Sequence, residues 1–279
     1  MPTHLKWKSK MRFSRLLPAF VAAAFLAVPS PALAWGKTGH RVAAAIADHY
    51  LSGYTRARIE QIFGPESLDE AATWPDEMRA DPAPFWQKVA GPWHYVTVSG
   101  TVYDSAPREG DAVVALERFR KILRNPASSL ADRQLALRFI VHIVADLHQP
   151  LHAGRPGDRG ANEVKVTWFG KPTNLHAVWD SSLVDDQQLS FSELAARLRR
   201  HISSDDVIAL WDAEPRDWIR ESVAIRETIY PTSPELGYDY AYRNTPIVNR
   251  RLQWAGIRLA AYLNATFDPA PSMRSKGRK

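Results

Sequence analysis

Apolar residues recur at helical spacing along most of the chain. Leu137, Ile140, Val141, Val144 and Leu147 fall on one face of a 3.6-residue repeat, which predicts a buried amphipathic helix over 130–148. The same periodicity predicts helices over 38–51 (with Thr38 as its cap), 56–63, 109–123, 174–184, 191–202, 218–230 and 249–264, while 68–73 leads into Trp74-Pro-Asp-Glu-Met-Arg79. Residues 95–99 and 163–169 are β-rich and are expected to pair as a small ribbon. Most of the twenty prolines fall between these segments, and there is no internal repeat. Helices far outnumber strands, so the pattern predicts one all-α, mainly helical domain with a small β ribbon.

Both ends depart from this pattern. Lys6, Lys8, Lys10, Arg12 and Arg15 precede an apolar run over 16–28, and Ala32-Leu33-Ala34 is a small-x-small cleavage site. Residues 1–34 read as a secretory signal peptide, with Trp35 as the first residue of the mature chain. Met11 is an alternative start, because residues 1–10 lengthen the basic region. Residues 35–268 form the expected domain. Residues 269–279, with Arg274, Lys276, Arg278 and Lys279 after two prolines, are expected to be a basic disordered tail.

The signal changes the charge reading. It holds five of the 36 basic residues and none of the 30 acidic ones, so the net charge drops from +6 to +1 without it. Global charge therefore makes no case for nucleic acid, and such a ligand has to be argued from a site. No window beyond residue 34 is long and apolar enough to span a membrane. A secreted or periplasmic protein without a membrane anchor is expected. With no cysteine, its stability must come from core burial and bound metal, and any metal site uses nitrogen and oxygen alone.

The candidate chemistry sits on the helical repeats. His142 and Asp146 are at i and i+4, which sets an imidazole and a carboxylate side by side. Pro150 stops the helix and lets His152 turn back toward them. His176 and Asp180 repeat the i, i+4 spacing. One such pair is ordinary in a packed helix, but two embedded in apolar sequence point to first-row metal ligands, zinc by type. Taken singly, His40 reads as a helix-face histidine, Asp76 as a cap after proline and His94 as a residue at a strand start.

Together these segments resemble a known family, the mung bean nuclease type of secreted trinuclear-zinc nucleases. The likeness runs through Trp35-Gly-x-x-Gly-His40, Trp74-x-Asp76-x-x-Arg79, Trp93-His-Tyr95 and His142-x-x-x-Asp146-x-x-x-Pro-Leu-His152. It continues through Gly160-Ala-Asn162, His176-x-x-x-Asp180, Trp218-x-x-Glu-Ser222 and Gly256-x-Arg-Leu-Ala260. The resemblance implies a helical fold shared with zinc-dependent phospholipase C. It implies three zinc ions per chain and endonucleolytic cleavage of single-stranded DNA and RNA to 5′-nucleotides by a zinc-activated hydroxide. It also implies 3′-nucleotidase activity and a monomer. Carried over by motif, Asp76, His94, His142 and Asp146 hold one zinc. Asp146 bridges to a second, held by His40 and by the amine and carbonyl of Trp35. His152, His176 and Asp180 hold the third. Asp76, Arg79 and Asp146 are then the catalytic residues, with Arg79 neutralising charge on the phosphate, Tyr95 offering a ring for base stacking and Asn162 contacting substrate.

Three departures from the family pattern stand out. Gly160-Ala161-Asn162 replaces Gly-Gly-Asn, Thr97 stands where an aspartate helps hold a base, and no disulfide can form. The metal ligands are all present. A phospholipase C-like lipid phosphodiesterase is the alternative, but that group ends its ligand set with glutamate, where this chain has Asp180. A non-catalytic secreted zinc-binding protein is a further alternative, and such a protein would be expected to lose ligands or Arg79.

Overall fold

The computed structural model describes residues 35–268, so the expected signal peptide and basic tail lie outside the described residues. Helices begin where short polar side chains can take up the free N–H groups of the first turn. After α1 (Lys37–His49), Ser52 caps α2 (Gly53–Phe63), and Ser67 forms a reciprocal box with Glu70 at α3 (Leu68–Ala71). The short α4 (Trp74–Glu77) and a 3-10 turn at Gly91–His94 lead into β1 (Val96–Thr97). Asp111 caps α5 (Ala112–Arg124), and Ser129 caps α6 (Leu130–Asp146). A 3-10 turn at Pro150–His152 follows, then β2 (Ala153–Gly154), β3 (Lys165–Trp168) and β4 (Lys171–Asn174).

Beyond the strands, α7 (Leu175–Ala177) and α8 (Leu183–Asp185) are joined by a π-helical turn at Val178–Ser182. The chain closes with α9 (Phe191–Arg199), α10 (Ser204–Leu210), α11 (Pro215–Ile229), β5 (Glu235–Leu236) and α12 (Tyr238–Phe267). The protein is mainly helical, as its periodicity predicts.

Several local expectations are corrected. Thr38 lies inside α1; the cap position is Gly36, which supplies no side-chain bond. The two β-rich segments do not pair with each other. Val96 and Thr97 instead run parallel to Ala153 and Gly154, while β3 is flanked by antiparallel β4 and parallel β5. The last helix starts at Tyr238 and passes through Pro246, whose missing N–H leaves the Tyr242 carbonyl without that donor.

Three helices organise the interior. From Ala136 to Asp146, α6 is buried at every position except Arg138. α1 and α12 each contribute to both hydrophobic clusters: Ala44, Leu259 and Leu263 join α6 in one, and Ile46, Leu252 and Ala255 join Trp35 and Trp179 in the other. α1 and α12 meet at Gly256, where a Cβ would lie 2.4 Å from Ile46 Cγ2 and 3.0 Å from the Ala43 carbonyl. Glycine at this position is thus a packing requirement that sets how closely His40 on α1 approaches the centre. Gly256→Ala is expected to lower unfolding free energy by about 1–2 kcal/mol. Overpacking costs ~1–3 kcal/mol, and the better helix propensity of alanine returns part of it. A denaturant midpoint equal to wild type would show that the crossing relaxes freely.

Candidate metal centre

α1, α4, the 3-10 turns ending at His94 and His152, the C-terminal half of α6, α7 and the π-turn deliver eight ionisable side chains to one buried region. Three overlapping groups result: His40, His142 and Asp146; Asp76, His94 and His142; and His152, His176 and Asp180, each with ligand atoms within 4.8 Å of one another. Asp146 joins the first two. Its Oδ2 lies 3.2 Å from both His94 Nδ1 and His142 Nε2, and its Oδ1 lies 3.3 Å from His40 Nε2. Asp76 Oδ1 stands 4.0 Å from His94 Nδ1 and 3.9 Å from His142 Nε2. A tetrahedral ion with bonds of about 2.0–2.1 Å needs ligand atoms about 3.3 Å apart, so these separations suit a first-row cation. In the third group His176 Nε2 is 2.9 Å from Asp180 Oδ2, and His152 Nε2 is 3.8 Å from Asp180 Oδ1.

Backbone carbonyls orient the rings. His142 Nδ1 donates to the Ala72 carbonyl at 2.7 Å, His152 Nδ1 to the His94 carbonyl at 2.7 Å and His176 Nδ1 to the Gly160 carbonyl at 2.5 Å. Each ring is thereby fixed with its Nε2 lone pair aimed into the cluster. Both nitrogens of His40, Asp146 Oδ1, His152 Nε2 and Asp180 Oδ2 are buried without a hydrogen-bond partner. Buried polar atoms are normally satisfied. Orphans that converge in this way, all of them nitrogen or oxygen, fit a bound cation.

The electrostatics agree. Burial holds the imidazoles of His40, His94 and His152 well below their ordinary value, and neighbouring imidazoles push the same way. Neutral rings are the form that binds metal. Burial also lowers His142, but the Asp146 and Asp76 carboxylates outweigh it and push the ring up to about 9. Burial raises Asp146 and Asp180. A cation among these groups would favour the ionised carboxylates and the unprotonated rings together.

The remaining predicted residues lie at the edges. Trp35 is fully buried, its indole donating to the Ala145 carbonyl at 2.8 Å beside Asp146. Arg79 Nη1 is 3.5 Å from Asp76 Oδ1, and its side chain is about a third exposed. Tyr95 is 46 % exposed and lines, with Pro92, Thr97 and Pro107, a cavity of about 350 Å³. Asn162 donates its amide to the Arg159 carbonyl at 2.8 Å, on the loop whose Gly160 holds His176. Gly160 has φ +63°, and a Cβ there would sit 2.6 Å from the Leu151 carbonyl. Sequence reasoning missed Gln149. Its amide donates to Asp180 Oδ1 at 2.6 Å, while its oxygen accepts from Leu151 N. Its place beside the helix-stopping Pro150 was the available signal.

The family model described as S1/P1 Nuclease matches residues 35–268. The chain belongs to the S1/P1 nuclease family. Among its relatives, Endonuclease 4 of Arabidopsis thaliana is 32% identical over 281 residues, covering 86% of this chain and 91% of that protein. Nuclease S1 of Aspergillus oryzae is 27% identical over 90% of this chain and 97% of its own length. Nuclease P1 of Penicillium citrinum is 29% identical over 67% of this chain and 72% of its own. The family match spans every group of the candidate centre.

The depressed histidines give the metal-free protein a pH dependence. His40, His94, His148 and His152 sit below their ordinary 6.5 when folded, so unfolding lets them take up protons as pH falls through that value. Asp146 and Asp180, raised by burial, and His142 and His176, raised by their carboxylate neighbours against the pull of burial, release protons on unfolding and offset the uptake near neutral pH. Below about pH 6, where unfolded histidines are mostly protonated, the four depressed rings outweigh the releasing groups. The unfolded state then binds more protons, and stability falls with pH by up to ~1.4 kcal/mol per pH unit for each net proton. Chelator-treated protein should therefore show denaturant midpoints that fall from about pH 6 to about pH 5. A flat profile would mean that these rings are not held neutral.

Proposed function

We propose that this nuclease is a zinc-dependent phosphodiesterase that cuts single-stranded DNA and RNA to 5′-nucleotides and also removes phosphate from 3′-nucleotides. Membership of the S1/P1 family makes the chain an enzyme that hydrolyses nucleic acid. The observation that carries the metal reading is the set of orphaned buried donors aimed into three joined His/Asp groups. Asp76, His94, His142 and Asp146 would hold one zinc. Asp146, His40 and the amine and carbonyl of Trp35 would hold a second, and His152, His176 and Asp180 a third. Bound zinc lowers the pKa of water from 15.7 to about 7 and offsets negative charge on a phosphate.

The protein's own groups set the geometry for an incoming phosphodiester. The Arg79 guanidinium, beside Asp76 and partly exposed, can donate to the non-bridging phosphate oxygens as charge builds on them. Tyr95 offers a half-exposed ring against which a splayed base stacks, worth about 1–3 kcal/mol. Thr97, in the same cavity wall, carries no charge, so any carboxylate partner for the base comes from another part of that wall, where Glu109 stands. The Asn162 amide nitrogen is committed to its own loop, which leaves its oxygen to accept from a substrate hydroxyl. We further read the chain as a secreted or periplasmic monomer. No helix among the described residues is long and apolar enough to cross a membrane.

Two outcomes test this reading. Protein purified from Trp35 onward should hold about three zinc ions, since each ligand group completes one site. It should degrade single-stranded DNA and RNA in a chelator-sensitive way and leave a phosphatidylcholine emulsion intact. Lipid hydrolysis without nucleic-acid cleavage would move the assignment to the phospholipase C-like alternative. Separately, Arg79→Ala should lower kcat by about 10²–10³-fold with zinc content unchanged, as expected for one transition-state charge partner. Wild-type turnover in that variant would remove Arg79 from the site.

A further inference from the structure

The C-terminal end of α6 carries Asp146, and the end of an α-helix leaves its last carbonyls without helical donors. Here each one is met. The Ile143 carbonyl accepts from Leu147 N, the Ala145 carbonyl from His148 N and the Asp146 carbonyl from Gln149 N. The Val144 carbonyl accepts from His148 Nδ1 at 2.7 Å. The next two carbonyls are taken by side chains from far along the chain. Ser222 Oγ donates to the Leu147 carbonyl at 2.6 Å, and Arg251 Nε donates to the His148 carbonyl at 2.8 Å.

These two donors belong to one buried network. Arg251 is fully buried, and its guanidinium also reaches Ser222 Oγ at 2.7 Å through Nη2 and Glu221 Oε2 at 3.0 Å through Nη1. Glu221 joins it to Arg258, whose Nη2 donates to Glu221 Oε1 at 2.9 Å and whose Nε donates to Asp212 at 2.8 Å. Arg258 Nη1 stands 3.4 Å from His148 Nε2. His148 faces this network, lies outside the three His/Asp groups and holds no place among the candidate ligands. The network's residues come from Trp218-x-x-Glu-Ser222 and Gly256-x-Arg-Leu-Ala260, plus Arg251, and the proposed chemistry uses none of them.

We infer that Arg251, with Ser222, Glu221 and Arg258, is a positioning clamp that fixes residues 147–148, and through them sets Asp146 and His152 at metal-binding geometry. Asp146 precedes the clamped carbonyls directly, and His152 ends the 3-10 turn that follows them. A cation at a helix C-terminus is favourable in itself. A planar fork that serves His148, Ser222 and Glu221 at once cannot be replaced by the point charge of lysine. The inference rests on the zinc reading above.

The test measures zinc affinity by competition with a chromogenic chelator, together with kcat and KM on single-stranded DNA. Wild type is compared with Arg251→Lys, Glu221→Gln and the milder Ser222→Ala. The control is Leu123→Ala, a core truncation at the opposite end of the α5–α6 hairpin from Asp146. The three clamp variants should release zinc about 10–100-fold more readily, the range for residues that orient metal ligands. Their kcat should fall while KM holds. The control should lose thermal stability yet keep wild-type zinc affinity. Ser222→Ala removes one hydroxyl, so it remains a test if Arg251→Lys does not fold. Wild-type zinc affinity in the clamp variants, or an equal loss in Leu123→Ala, overturns the clamp alone. A wild-type chain that takes up no zinc overturns the zinc reading and the clamp with it.

Discussion

Asp146 is a carboxylate with no exposure to solvent, set beside His40 and His94, which burial keeps neutral, and His142, which the carboxylates push up to about 9. An isolated carboxylate in such a place costs several kcal/mol; neutral rings repay little of that, and the single raised ring of His142 repays only part. Nearly every unusual feature of the interior follows from this constraint. α6 has to be buried on all sides to put Asp146 there. α1 has to cross α12 closely enough to bring His40 to Asp146 Oδ1, which Gly256 permits. Trp35 closes the same region by donating to the Ala145 carbonyl.

The imidazoles obey a second rule. A ring can aim one nitrogen inward only if the other is occupied, and here the occupants are the main-chain carbonyls of Ala72, His94 and Gly160. Backbone position therefore becomes part of the site. Those carbonyls lie just past α3, at the end of a 3-10 turn and in a left-handed glycine, where the chain is irregular. Ala161, buried with φ +65°, continues the left-handed stretch in a conformation that costs a residue with a Cβ about 1–2 kcal/mol. The departure from Gly-Gly-Asn thus places an alanine where glycine would be unstrained, and the neighbouring Gly160 still holds His176.

How much of this was readable in advance depended on the range of the interaction. His142 with Asp146 and His176 with Asp180 are local pairs at one-turn spacing, and both meet in the structure. The second pair does so across a π-turn that apolar periodicity reads as plain helix. His40, Asp76 and His94 carry no local signal, and only the family motifs marked them. The ribbon failed because β2 is two residues long and has no alternation to detect, so two β-rich segments looked like each other's partners. The start of α12 was missed because Pro246 and the polar residues before it mask a helical repeat. Arg251 and Arg258 look like solvent-facing charges within an apolar helix, yet both are buried, because their acceptors come from segments some 30 to 110 residues away.

The three His/Asp groups are not independent pockets. Asp146 gives one oxygen to the His94 and His142 side and the other to the His40 side. His152 belongs to the third group, yet its Nδ1 donates to the carbonyl of His94, a residue of another group. Asp180 likewise accepts from Gln149, between Asp146 and His152, and its carbonyl accepts from Gly36 N beside Trp35. A shift at any one group must therefore move a hydrogen bond that orients another. Packed interiors answer such shifts by discrete rearrangement more readily than by smooth deformation. On this geometry the ligand groups should fill and empty as a coupled set, with the segment from Asp146 to His152 as the part they share.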